Sequence, residues 1–91
     1  MTVIARRAVV RGRVQGVGFR FFAQRAAREA GVRGWVRNAP DGSVETFVEG
    51  TEEAVRLYLE RLREGPRLGK VVGVEEEEST AAGHTAFEIA P

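Results

Sequence analysis

The chain has 91 residues, 43% of them apolar and 30% charged, with a net charge of +1. That is the profile of one soluble globular domain large enough to build its own core. With no cysteine and a single histidine, His84, disulfides, thiolate chemistry and Cys- or multi-His metal sites are excluded. No apolar run approaches the roughly 18 residues of a membrane span, and Arg6-Arg7 interrupt any signal-like start, so a cytoplasmic protein with no membrane partner is expected.

Residues 3–13 read as a first strand, with Val3, Ile4, Val9 and Val10 among arginines. From Phe19 the period changes. Phe19, Phe22, Ala23, Ala26, Ala27 and Ala30 fall on one helical face, and Gly31 stops the helix. The alanines predict that this helix lies close against a sheet. Val32 to Asn38 is a second strand, Ala39-Pro40-Asp41-Gly42 a turn, and Ser43 to Gly50 a third strand that completes a hairpin. In the third strand Val44, Thr46 and Val48 alternate with Glu45, Phe47 and Glu49. Thr51 is placed to cap a second helix, with Glu52 and Glu53 in its first turn and Val55, Tyr58, Leu59 and Leu62 as its apolar stripe; Gly65-Pro66 ends it. Lys70 to Val74 is a fourth strand running into Glu75-Glu76-Glu77-Glu78, read as a solvated strand end. A polar loop from Ser79 to Thr85, with a solvated His84, leads to a short last strand at Ala86–Ile89.

The order βαββαβ plus a short strand predicts an α+β fold: a single-domain ferredoxin-like sandwich over 1–91. It has an antiparallel sheet, two helices on one face and the other face open to solvent. No extended apolar patch is apparent, which favours a monomer.

Charge is unevenly spread. Residues 1–39 hold nine arginines and one acid, for +8; residues 40–91 hold five bases and twelve acids, for −7. Such a split either pairs across the fold or marks an anionic partner. Asn, Gln, Met and Cys together number four while Arg and Glu abound. A thermophilic source and a GC-rich genome both produce that bias.

The chemistry concentrates in Gly12-Arg13-Val14-Gln15-Gly16-Val17-Gly18-Phe19-Arg20. A glycine-punctuated loop leaving a strand and opening a helix turns several N–H groups toward one point. Arg20, in the first helical turn, has the wrong sign for the helix dipole unless an anion lies there too. With one bound, dipole, amides and guanidinium all meet negative charge, each charge-assisted hydrogen bond contributing roughly 1.5–3 kcal/mol. Glycines alone would signal only a tight connection. Asn38, at the end of the second strand, offers an uncharged donor and acceptor able to hold a water, though Asn is also common beside turns. Trp35 reads as core or edge packing, and Arg37 points to the face opposite Asn38. Gly65 to Val71 has the wrong spacing and no Ser/Thr for a P-loop, and Gly16-Val17-Gly18 lacks the third glycine of a dinucleotide fingerprint.

Taken together, these residues resemble the acylphosphatase family, of bacterial and archaeal type. Val14-Gln15-Gly16-Val17-Gly18-Phe19-Arg20 looks like its phosphate-binding loop and Gly34-Trp35-Val36-Arg37-Asn38 like its second signature; Asp41-Gly42, Glu49-Gly50 and Gly65-Pro66 also fit. Phe21 beside Phe22 is a departure, since only the second position looks constrained to an aromatic. The resemblance implies the ferredoxin-like fold and hydrolysis of small acyl phosphates to carboxylate and inorganic phosphate, with no metal or organic cofactor. It implies that Arg20 and the backbone of Gln15, Gly16, Val17, Gly18, Phe19 and Arg20 bind phosphate, while Asn38 orients the attacking water.

Three rival readings differ in class. An RNA-binding module would need aromatics on the central strands, where the first strand offers Arg and Val, so no nucleic-acid partner is expected. A module of a larger carbamoyl-transfer system, such as a hydrogenase-maturation protein, would carry zinc-binding cysteines. A regulatory domain would bind its ligand without turnover.

Overall fold

The computed structural model describes residues 2–91. In chain order the elements are β1 (Ile4–Arg13), α1 (Phe19–Ala30), β2 (Arg33–Asn38), β3 (Val44–Gly50), α2 (Glu52–Glu64), β4 (Lys70–Ser79) and β5 (Phe87–Ile89). They follow the predicted order. The sheet runs β4-β1-β3-β2-β5, with both helices packed on one face.

Strand alternation sets the layers. Val10, Val36, Val44 and Val48 point beneath the helices and are fully buried. They meet Phe19, Ala23, Ala26 and Ala27 of α1 and Val55, Tyr58, Leu59 and Leu62 of α2. α1 packs through an alanine stripe with Phe19, and α2 through larger side chains. Each fully buried Val or Leu stabilises the fold by about 1.5–3 kcal/mol. One polar chain runs through this core. Tyr58 Oη donates to Thr46 Oγ1 (2.8 Å), which donates to the Trp35 carbonyl (2.7 Å). Burial pushes the Tyr58 phenol well above its ordinary range, so it stays protonated.

Two expectations need correction. The sheet is antiparallel only from β4 to β2, because β5 adds parallel to β2, Gly34 opposite Phe87 and Val36 opposite Ile89. The chain reaches that edge after crossing the sheet, so it arrives in the direction of β2. That crossing is the second correction: the far face is not wholly open. Residues 80–86 lie over one end of it. Glu49, on β3, is 1% exposed and accepts N–H bonds from Ala82 and Gly83, each 3.0 Å. His84 is therefore half-buried, its ring 5.4 Å from that of Phe47, and its carbonyl accepts from Arg33 Nε (2.8 Å). Beside it Trp35 stacks on Phe47 at 6.4 Å, with the Arg7 and Arg37 guanidinium groups 5.5 and 5.7 Å from its ring.

The glutamate run Glu75–Glu78 lies inside β4 and pairs with β1 from Arg6 to Val9 while remaining exposed. The two charge halves meet across the fold. Arg7 and Arg37 share Glu45, Arg11 bridges Asp41 and Glu75, Arg33 faces Glu49, and Glu29 meets Arg61. Arg20 belongs to none of these pairs.

Candidate active site

The connection between β1 and α1 turns on Gly16 (φ 74°) and Gly18 (φ 76°, ψ 21°), both left-handed. Only glycine adopts that conformation without penalty. Alternating left- and right-handed backbone turns successive N–H groups inward, as in an anion-binding nest. Gly18 is the N-cap of α1 and supplies no capping side chain, and no acid lies in the first turn. The first N–H groups of a helix have no intrahelical acceptor. Here they are left without a side-chain substitute.

Those groups open into a cup of about 110 Å³ lined by Val14, Gly16, Gly18, Phe19, Arg20, Phe21 and Asn38. With one water occupying about 30 Å³ of liquid, the space suits one compact oxyanion with a water beside it. The Arg20 side chain is half-buried and forms no ion pair or hydrogen bond among the described residues. Phe19 roots the loop, its ring 2% exposed in the core.

Asn38 ends β2 on the helix-facing side, opposite Val44 of β3. The preceding strand is held tight to β3 because Gly34 has no Cβ; one added there would sit 1.9 Å from the Phe47 carbonyl oxygen. Asn38 Oδ1 is buried with no hydrogen-bond partner among the described residues. A buried amide oxygen left in that state costs about 1–3 kcal/mol. The group lies on the cup wall, where a bound donor would satisfy it.

Of the predicted site residues, the structure brings Gly16, Gly18, Phe19, Arg20 and Asn38 to one cup. Gln15 and Val17 belong to the loop, but neither lines it. Val17 packs toward Gly69. Gln15 turns away, and its Nε2 donates to the carbonyls of Ala39 (2.8 Å) and Ser43 (2.9 Å). That bond pair ties the loop to the β2–β3 turn directly after Asn38, a role sequence spacing did not reveal. The turn is braced by Asp41 Oδ1, which accepts from Ser43 N (3.0 Å) and Ser43 Oγ (2.6 Å). These bonds, and Arg11 beside them, hold the Asp41 carboxyl down to about 2. Among the described residues no carboxylate or imidazole lines the cup. Trp35 and Arg37 fall on the opposite face of the sheet, as alternation requires.

Comparison with known proteins places this chain in a family. The acylphosphatase family model matches residues 6–89. An acylphosphatase of Thermus thermophilus is 49% identical over 82 residues, which span 90% of this chain and 93% of that one. The crystal structure of acylphosphatase from Bacillus subtilis superposes with a TM-score of 0.94 at 40% identity, covering 97% of this chain and 99% of the other. The fold also resembles 12% of full-length HypF, crystallised in a phosphate- and nucleotide-bound form, with a TM-score of 0.93 and 27% identity over 99% of this chain. The ferredoxin-like sandwich and these relatives agree: the chain belongs to the acylphosphatase family, hydrolases that act on acyl phosphates.

Proposed function

We propose that the cup hydrolyses the carboxyl–phosphate bond of small acyl phosphates without a metal ion, in a single in-line displacement. Arg20 and the N–H groups from Gln15 to Arg20 hold the phosphoryl oxygens. Asn38 Oδ1 accepts a hydrogen bond from the attacking water and aims its lone pair at phosphorus. The water oxygen bonds to phosphorus as the bond to the acyl oxygen breaks, and the carboxylate leaves with that electron pair. The proton of the water passes to a phosphoryl oxygen. A loose phosphoryl-transfer transition state needs positioning and charge stabilisation above all. A carboxylate leaves readily, so the lack of an acid or base on the cup wall fits the reaction.

The observation that carries this reading is the unpartnered Oδ1 of Asn38 in the same cup as Arg20 and the uncapped helix N-terminus. A phosphate-binding site alone would need the cations and amides but not a buried acceptor, which would face anionic oxygen. A water is the donor that reconciles the two. One chain is the working unit in this reading.

The test is hydrolysis of benzoyl phosphate in excess EDTA by wild type, Arg20→Gln and Asn38→Ala. Metal-independent turnover that collapses in both variants is expected. Full activity in Arg20→Gln would refute the site, and strict dependence on an added metal would refute the mechanism.

A further inference from the structure

The reading above accounts for the phosphoryl group and leaves the acyl group unplaced. Phe21 stands at the mouth of the cup with 66% of its surface exposed. A lone exposed aromatic is ordinary, but this one also begins a groove. A trough of about 400 Å³ runs along the outer face of α1, lined by Phe21, Gln24, Arg25, Arg28 and Glu29. Apart from Glu29, which follows Arg28, these residues lie at i, i+3, i+4 and i+7, one strip of helix surface. Phe21 is the residue common to the cup and the trough.

The charge along the trough is one-sided. Glu29 is paired with Arg61 at 3.1 Å, and Gln24 Nε2 leans toward the Phe87 carbonyl (3.4 Å). Arg25 and Arg28 are exposed and pair with no acid among the described residues. Arg28 suits the C-terminal turn of the helix in any case; Arg25, in the middle, has no such reason. Arg25 lies one helical turn beyond Phe21 on the same strip of surface. At 1.5 Å rise per residue it stands about 6 Å along the axis from Phe21, and Arg28 about 10 Å.

We infer that this trough is the acyl subsite: Phe21 supports an apolar acyl body leaving the cup, and Arg25 with Arg28 receives an anion at its far end. The favoured substrates are acyl phosphates whose acyl group carries a second, distal negative charge. The inference rests on the phosphoryl group occupying the cup.

Three substrates separate the parts: acetyl phosphate, benzoyl phosphate and 4-carboxybenzoyl phosphate. At low ionic strength wild type is expected to favour the carboxybenzoyl over the benzoyl compound about three- to tenfold in kcat/KM. Arg25→Gln with Arg28→Gln abolishes that preference, as does high salt. Phe21→Ala loses about tenfold more on benzoyl than on acetyl phosphate. Inhibition by inorganic phosphate, which does not enter the trough, stays within twofold in Arg25→Gln with Arg28→Gln, neither of which lines the cup, and shows that the cup is intact there. Equal losses on all three substrates, or no wild-type preference for the second anion, would overturn the subsite while leaving the cup's function in place. Failure of folded wild type to hydrolyse any of them would overturn both.

Discussion

Helix α2 begins at Thr51, whose Oγ1 accepts from the Ala54 N–H at 3.2 Å, and Glu52 and Glu53 follow in its first turn. Helix α1 begins at Gly18, with no capping side chain, no acid, and Arg20 where an acid would be favourable. Both helices pack on the same face of one sheet and have similar length, so packing does not explain the contrast. At α2 the chain satisfies its own helix terminus. At α1 it leaves N–H groups and a cation facing the same small cup, an arrangement that destabilises the free protein and is relieved by an anion. A capped helix is a structural solution; the uncapped one with the wrong charge is the one proposed above as a binding site.

The sharpest way to break that comparison is Arg20→Gln. It removes the one side-chain cation on the cup wall, and turnover should fall at least ~10²–10³-fold, the range seen when oxyanion donors are lost. Thermal stability should hold or rise, because a misplaced charge is gone. Asn38→Ala comes next. Turnover should drop by about a hundredfold while inhibition by inorganic phosphate changes little, since the water and not the phosphoryl group loses its partner. Loss of phosphate binding in that variant would return Asn38 to a structural role.

Thr51→Ala tests the other helix. It should cost about 1 kcal/mol of stability by removing the cap and leave kcat/KM unchanged. A smaller effect concerns the Asp41 brace on the turn after Asn38. Its folded value, about 2, lies below the unfolded carboxyl value near 4, so its stabilising contribution is present above pH 4. It is lost as pH falls through 2. Thermal melts from pH 5 to pH 2 should therefore converge for wild type and Asp41→Asn, with wild type the more stable only at the upper end.

Much of this was legible in the sequence because the signals are local. The Phe19–Ala30 stripe, the Thr51 cap and the glycines at 16 and 18 each specify a conformation within a few residues. Asn38 and Arg20 are singled out as candidates by chemistry and position, and their roles come only from the resemblance. What stayed hidden depends on partners far along the chain. Gln15 reaches carbonyls 24 and 28 residues away, so its side chain is a strut, which its place in the loop does not announce. Glu49 looked like a solvent-facing residue by alternation, yet it is buried because a segment more than thirty residues later folds over it. Burial pushes its carboxyl up, but the N–H groups of Ala82, His84 and Gly83 outweigh that and hold it below the usual carboxylate range. The parallel edge strand β5 follows from the same crossing, which period-2 alternation in three residues cannot announce.

The contrast between the two helix termini is tested most directly by titrating inorganic phosphate into the ¹⁵N-labelled protein in EDTA. The account predicts that the backbone amides from Gly16 to Phe21 and the Asn38 side chain shift and saturate together, while those of Glu52 to Val55 stay still. Shifts spread evenly over the arginine-rich surface, or centred on α2, would contradict it.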